Sequence, residues 1–146
     1  MVPEFRFGKD GDLTVKHSKQ RDAILDDLQG RYDHPTAEMI FASIREKFPN
    51  ISLGTVYRNL ALLTEIGEII KVGSAEDGKE HYDGHTHPHS HLFCEDCQEV
   101  YDLDFSPDLQ SLEQALGIEI REVCTTLRGR CKECISKKTN TLVSDN

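Results

Sequence analysis

The chain has 146 residues and a formal net charge of −9, from 26 Asp and Glu against 17 Lys and Arg. This length suits one medium domain or two small ones, and two small cores would need a stabilising staple such as a metal ion. Apolar runs are too short to span a bilayer, and residues 1–7 lack a secretory hydrophobic region, so we expect a cytoplasmic protein without membrane association.

The charge is uneven along the chain. Residues 1–72 carry ten Lys and Arg against eleven Asp and Glu, whereas residues 73–146 carry seven against fifteen. A near-neutral first half can still present a basic face to phosphate, and an acidic second half is typical of a cation-binding module. Solubility alone explains an acidic half equally well, so the charge leaves both interpretations open.

Three helices are predicted in the first half. Residues that can cap helix N-termini stand at Ser18, Thr36 and Ser52. The helices that follow are expected to end at Gly30, at Phe48 before Pro49, and at Gly67. In the third helix the apolar residues recur at steps of three and four, which leaves a polar face.

The strand-like segments 68–72 and 79–82 follow the third helix and predict a hairpin. Three helices and a hairpin indicate a winged helix-turn-helix, whose third helix enters the DNA major groove. The candidate DNA-contacting residues are Ser52, Thr55, Tyr57, Arg58 and Asn59. An ordinary helical bundle with a polar outer face is the alternative.

A second domain is predicted to follow, so that residues 1–83 bind DNA and residues 84–146 form a small α/β dimerisation domain in an α+β protein. Strands are expected at 91–94 and 99–103, a helix at 107–116, and alternating residues from Ile118 to Leu127 as a further strand. Cys124, within that segment, is expected to be a packed small apolar residue. The second domain has few residues for its core, so we expect its outer apolar surface to be buried against an identical copy. The resulting homodimer suits an inverted-repeat operator of double-stranded DNA.

Two Cys-x-x-Cys pairs bracket the second half. They are Cys94 with Cys97 and Cys131 with Cys134. This spacing suits two sulfur ligands to one ion, so the four thiolates predict a structural Zn²⁺ site. A thioredoxin-like redox pair is the alternative, although that chemistry needs only one dithiol.

Histidines cluster just before the first cysteine pair. His89 and His91 are two residues apart and would share one face of a strand, where they can join carboxylates around a second, redox-capable metal. His34, taken alone, is more simply a turn residue. His85 and His87 are interpreted as spare hinge residues, with a supplementary metal site there as the alternative.

Three motifs occur in a characteristic order. They are His34-Pro35-Thr36, Thr55-Val56-Tyr57-Arg58 and His89-x-His91-x-x-Cys94-x-x-Cys97. Over residues 13–137 the chain resembles the ferric uptake regulator family of metal-dependent repressors, and within it most closely the peroxide-responsive branch. Pro88 and Ser90 stand where iron-sensing relatives carry further ligands, which favours peroxide sensing.

The resemblance implies a regulatory site for Fe²⁺ or Mn²⁺. Its matching positions are His34, Asp83, His89, His91 and Asp102. It also implies that peroxide oxidises a ligand histidine, at His34 or His89. Since these ligands lie in both halves of the chain, one ion would close the two domains together and couple metal binding to DNA affinity.

The resulting hypothesis is a peroxide-sensing transcriptional repressor that is not an enzyme. A repressor of iron, zinc or manganese uptake from the same family is the nearest alternative. A metallohydrolase built on His89 and His91, or a metal-storage protein, would belong to a different class.

Overall fold

A computed structural model describes residues 6–7, 13–14 and 17–143 of the chain, with side chains described for 17–139. These residues form two compact units. The first comprises the described residues up to Lys71 together with Glu80–Thr86, and the second comprises Val72–Lys79 and the described residues from His87 onward. Within this part of the chain, every helix is too short or too polar to cross a bilayer.

The first unit contains the three predicted helices. They are α1 (Lys19–Gln29), α2 (Ala37–Ile44) and α3 (Leu53–Glu65). As expected, each begins where a hydroxyl oxygen accepts a hydrogen bond from a backbone N–H of the first turn, at Ser18, Thr36 and Ser52. Two short antiparallel strands, β1 (Arg6–Phe7) and β2 (Leu13–Thr14), precede them and are additional to the predicted elements.

Helix α2 is shorter than expected, since it ends at Ile44 rather than Phe48. The Ile44 carbonyl accepts from the N–H groups of both Lys47 and Phe48, at 3.0 and 2.9 Å. The Lys47 bond spans only three residues, which tightens the turn after the helix. Pro49 disfavours the helical conformation at Phe48. Phe48 packs instead against the core.

Apolar stripes on the three helices build the core of the first unit. Its innermost members are Ile24, Leu28, Ile40, Val56, Leu60 and Leu63. Burial of each such side chain contributes roughly 1.5–3 kcal/mol. The helices are thereby held in the three-helix arrangement that the sequence predicts.

The predicted wing forms from β3 (Ile70–Ser74) and β4 (Glu80–Asp83), which make a two-stranded sheet. Strand β4 also pairs with the loop before α2, through a bridge between Thr36 and His81 and a 3.0 Å bond from Tyr82 N to the Pro35 carbonyl. This pairing fixes the end of β4 beside the α1–α2 loop. Three helices and a wing, followed by an α/β unit, confirm the predicted α+β fold class.

The domain boundary after residue 83 stays a prediction. In the structure, residues 72–79 of the wing group with the second unit. There, Thr126 Oγ1 donates to the Val72 carbonyl at 3.0 Å, and Arg128 Nη2 donates to the Ser74 carbonyl at 2.7 Å. Spacing along the chain does not reveal these long-range bonds.

The second unit is built on a three-stranded sheet in the order β6-β5-β7. Its elements are β5 (Ser90–Cys94), β6 (Val100–Leu103), α4 (Leu109–Leu116), β7 (Thr126–Gly129) and α5 (Lys132–Val143). Strand β5 runs antiparallel to β6 and parallel to β7.

The strand expected from Ile118 to Leu127 is largely wrong. Strand β7 begins only at Thr126, which pairs with His91 near the start of β5. Residues 118–125 precede β7 and belong to no strand in the described structure, so the alternation of apolar and polar residues there does not indicate one. Cys124 is exposed there, which corrects the expectation that it is packed.

The second unit also exposes an unusual number of apolar side chains. Helix α4 buries none of its residues. The exposed side chains include Leu112, Leu116, Ile118, Val123, Leu127 and Ile135. Such a set is typical of a surface that is covered by another protein chain.

Gly84 makes a close approach that a side chain would prevent. A Cβ atom there would lie 2.6 Å from the Leu28 carbonyl carbon and 2.7 Å from Gln29 N, which are backbone atoms at the end of α1. We expect Gly84→Ala to lower the free energy of unfolding by about 1–3 kcal/mol, measured by urea denaturation. Gly54→Ala is the control, since its Cβ would meet only ordinary contacts from 3.5 Å outward. An unchanged midpoint for Gly84→Ala would contradict the close packing.

Candidate functional site

Four cysteine sulfurs converge at one edge of the second unit. The parallel pairing of Cys94 with Gly129 places the two Cys-x-x-Cys turns side by side. The sulfurs of Cys94, Cys97, Cys131 and Cys134 all lie within 4.8 Å of one another, and those of Cys97 and Cys131 are 4.0 Å apart. A tetrahedral Zn²⁺ with bonds of about 2.3 Å spaces its sulfurs by about 3.8 Å, so the cluster fits this ion.

Backbone N–H groups stabilise a negative charge on one sulfur of this cluster. The N–H groups of Cys97 and Cys131 donate to Cys94 and lower the pKa of its thiol to about 6, so it is a thiolate at neutral pH. The hydrogen bond between the thiols of Cys134 and Cys131 raises the pKa of Cys134 to about 12. The Cys94 sulfur is thus negative at a pH where the Cys134 thiol still holds its proton.

A second cluster in the same unit offers nitrogen and oxygen donors. His89 Nε2 lies 3.0 Å from His91 Nε2, and each of these atoms is 3.3 Å from Asp102 Oδ1. The pairing of β5 with β6 sets His91 directly opposite Asp102. His89 lies one residue before β5, so the predicted pair of strand positions holds only for His91. The three side chains nevertheless meet.

The His89 tautomer follows from its second contact. Its Nδ1 lies 2.6 Å from the His87 carbonyl oxygen, which can only accept a hydrogen bond. Nδ1 therefore carries a proton and donates. In the neutral imidazole, Nε2 then presents its lone pair towards His91 and Asp102, as a metal ligand must.

The first unit holds a buried pair of an imidazole and a carboxylate. His34 Nε2 and Asp83 Oδ2 are 3.6 Å apart, and both residues are 3% exposed. His34 adopts a left-handed backbone conformation with φ of 49°, which is unfavourable for a residue with a Cβ atom. His81 Nδ1 donates to the His34 carbonyl at 2.6 Å and so stabilises this turn.

Both groups of donors suit a divalent transition metal. An octahedral ion with bonds of about 2.1 Å spaces adjacent ligand atoms by about 3.0 Å. The donors in each group lie 3.0–3.6 Å apart, close to that spacing. Imidazole nitrogens mixed with carboxylate oxygens suit iron, manganese and zinc ions. Each unit supplies only part of a full coordination shell.

Helix α3 presents most of the residues predicted to contact DNA. Ser52, Tyr57 and Arg58 are exposed and Thr55 is half-buried. Arg58 Nη2 donates to Thr55 Oγ1 at 2.9 Å, which holds the guanidinium along the helix surface. Asn59 is buried, and its amide donates to the Thr55 carbonyl at 3.0 Å. The contact between Asn59 and DNA stays a prediction, and in this structure its side chain is engaged within the helix.

Two histidines that sequence reasoning left without a role contact the buried pair. His81 supports the His34 backbone, and His85 contacts the Asp83 carboxylate through its ring Nδ1 at 3.1 Å. The available signal was spacing, since His81 and His85 each stand two residues from Asp83. Residues two apart share one side of an extended chain.

Comparison with known proteins identifies the family. The model of the "Ferric uptake regulator family" matches residues 12–124. The peroxide-responsive repressor PerR of Staphylococcus epidermidis is 36% identical over 124 residues, which cover 82% of this chain and 81% of that protein. A crystal structure of the Campylobacter jejuni peroxide stress regulator superposes with a TM-score of 0.68 at 30% identity, covering 79% of this chain and 88% of that one.

A second solved structure shares the fold. The Helicobacter pylori ferric uptake regulator Fur, described as having three functional metal binding sites, aligns with a TM-score of 0.67 at 25% identity. The alignment covers 83% of each chain. The resemblance seen in the sequence is thus confirmed across most of the molecule. The chain belongs to the ferric uptake regulator family, whose members are metal-dependent DNA-binding regulators rather than enzymes.

Proposed function

We propose that this regulator is a repressor that responds to peroxide through oxidation of a histidine ligand at a regulatory metal site. The observation that carries the proposal is the donor set: a buried His34–Asp83 pair in one unit, and His89, His91 and Asp102 in the other. These five residues match, type for type, the ligand set implied by resemblance to the peroxide-responsive branch. The similarity to the Staphylococcus epidermidis peroxide-responsive repressor supports the same choice.

A structural Zn²⁺ belongs in the four-thiolate cluster. Four sulfur ligands close the coordination shell and leave no position for substrate, as is usual for structural zinc. The cluster joins the end of β5 to the start of α5, so zinc holds together a unit that buries few apolar residues. Metal binding then contributes directly to folding.

The regulatory site would take Fe²⁺ or Mn²⁺ from His34, Asp83, His89, His91 and Asp102. Because these residues divide between the two units, an ion that recruits all five restricts their relative arrangement. If the restricted dimer spaces two α3 helices for adjacent half-sites, metal affinity and DNA affinity are coupled. A coupling of about 1–3 kcal/mol changes DNA affinity by roughly 5–150-fold.

The peroxide response follows from the choice of ion. Bound Fe²⁺ would supply electrons to peroxide beside the ligand imidazoles, whereas Mn²⁺ would not. In the net reaction one oxygen atom passes from hydrogen peroxide to a carbon of His34 or His89, the imidazole loses two electrons and water leaves. The oxidised ring is a weaker nitrogen ligand, so the site releases its ion and the repressor leaves DNA.

DNA recognition would use the exposed face of α3 in a homodimer. Arg58 can make a bidentate contact to guanine, and Ser52, Thr55 and Tyr57 can contact phosphate or base edges. The exposed apolar side chains of the second unit suit burial against a second copy. Two copies related by a twofold axis would bind an inverted repeat.

A repressor of iron, zinc or manganese uptake is the second candidate. The similar TM-scores against the Campylobacter jejuni and Helicobacter pylori regulators do not separate the two effectors. Membership of a regulator family argues against the metallohydrolase and metal-storage alternatives.

Loss of one thiolate should release the structural zinc. We expect Cys131→Ala to abolish retention of zinc through dialysis and to lower the thermal midpoint of the full chain, because Cys131 is buried within the cluster. Cys124→Ala is the matched control, since that cysteine is exposed and lies outside the cluster. Equal zinc content in the two variants would refute the four-thiolate assignment.

Peroxide should inactivate only the iron-loaded form of the protein. We expect mild peroxide to abolish binding to an inverted-repeat duplex by the Fe²⁺ form and to leave the Mn²⁺ form bound. Peptide mass spectrometry should then find one added oxygen atom on His34 or His89 in the iron sample. Intact iron-loaded protein that still binds DNA after peroxide would favour the uptake repressor instead.

Removal of the α3 guanidinium should weaken operator binding. We expect Arg58→Ala to cost about 1–3 kcal/mol of binding free energy in the Mn²⁺-loaded dimer, measured by gel shift at fixed salt. Arg121→Ala serves as the control, because Arg121 is exposed in the second unit and pairs with Glu119. Equal losses in both variants would mean that only net charge matters.

A further inference from the structure

The Asp83 carboxylate accepts hydrogen bonds from a residue outside the proposed ligand set. Two donors of His85 converge on Asp83 Oδ1: the backbone N–H at 2.8 Å and the ring Nδ1 at 3.1 Å. Since an ionised carboxylate only accepts hydrogen bonds, the His85 ring carries its proton on Nδ1. All of these atoms belong to the first unit.

The two oxygens of Asp83 therefore have different surroundings. Oδ1 receives both His85 donors, while Oδ2 lies 3.6 Å from His34 Nε2. A carboxylate with one oxygen anchored cannot rotate about its side-chain torsions without breaking two hydrogen bonds. Oδ2 is thereby kept on the side of the His34 imidazole, where a metal ion would need it.

His85 is itself held in place. The Tyr32 ring stacks on its imidazole, with centroids 4.5 Å apart and planes inclined by 11°. Gly84, between Asp83 and His85, packs against the backbone of Leu28 and Gln29 without room for a side chain. The His85 side chain is 19% exposed, against 2% for that of Asp83. The hydrogen bond thus links buried Asp83 to His85, which lies nearer the surface and is held by its stacking on Tyr32.

We propose that His85 is a positioning residue of the regulatory site, which orients Asp83 for metal binding without contacting the ion. This inference rests on the proposed function, because it takes Asp83 as a ligand. Partners that hydrogen-bond to ligating carboxylates or imidazoles typically change metal affinity by about 10–100-fold. A role is thereby proposed for His85, a residue of the histidine-rich segment that is not one of the five ligands.

Substitutions that separate the donor from the ring test the proposal. His85→Asn retains an N–H donor near the position of Nδ1, whereas His85→Phe retains a ring to stack on Tyr32 but has no side-chain donor. We expect His85→Phe to weaken Mn²⁺ binding by about 10–100-fold and His85→Asn to remain within a few-fold of wild type. The measurement is electron paramagnetic resonance titration of the zinc-loaded full chain with Mn²⁺.

A metal-free readout separates positioning from damage to the fold. Nitrogen-correlated NMR of the protein without Mn²⁺ should show His85 as the Nδ1–H tautomer in the wild type. Zinc content should be equal in wild type and both variants, so that a change in Mn²⁺ affinity does not reflect loss of the structural ion. A different tautomer, unchanged Mn²⁺ affinity in His85→Phe, or equal weakening in His85→Asn and His85→Phe would each overturn the positioning role.

Failure of the proposed regulatory site and failure of the positioning role give different Mn²⁺-binding results. If wild-type protein does not bind Mn²⁺, or Asp83→Ala binds it as tightly as wild type, Asp83 is not a ligand and the regulatory site itself is refuted. If Asp83→Ala loses binding while His85→Phe retains it, only the positioning role of His85 is overturned.

Discussion

The pairing of β4 with the loop before α2 is the interaction on which the first half of the proposed regulatory site depends. One backbone bond from Tyr82 to the Pro35 carbonyl, and the bridge between Thr36 and His81, bring together segments far apart in the chain. As a result the buried imidazole of His34 meets the buried carboxylate of Asp83. Burial makes an uncompensated carboxylate costly, so this pair is stable only with donors or a cation nearby.

The second unit reaches its chemistry through strand pairing. Antiparallel pairing of β5 with β6 sets His91 opposite Asp102, and parallel pairing of β5 with β7 sets Cys94 beside Gly129. One strand therefore serves both clusters, with thiolates at its end and imidazoles at its start. A structural ion that stiffens β5 would also support His91, which this unit contributes to the proposed regulatory site.

Much of the fold could be predicted because its signals are local. Ser18, Thr36 and Ser52 cap helices at the expected positions, since a hydroxyl bonds to N–H groups only two or three residues away. Predictions failed where distant partners decide. The alternation from Ile118 to Leu127 forms a strand only from Thr126, where the chain begins to pair with β5.

The sequence by itself determined the helices, the wing, the two cysteine pairs and the set of candidate ligands, because residue type and spacing carry that information. Only the tertiary structure decided which donors meet and in what geometry. It showed that one oxygen of Asp83 lies near His34 while the other accepts from His85, and that the His87 carbonyl selects the His89 tautomer. Such choices depend on atoms that are distant along the chain or on backbone direction, neither of which is written in residue spacing.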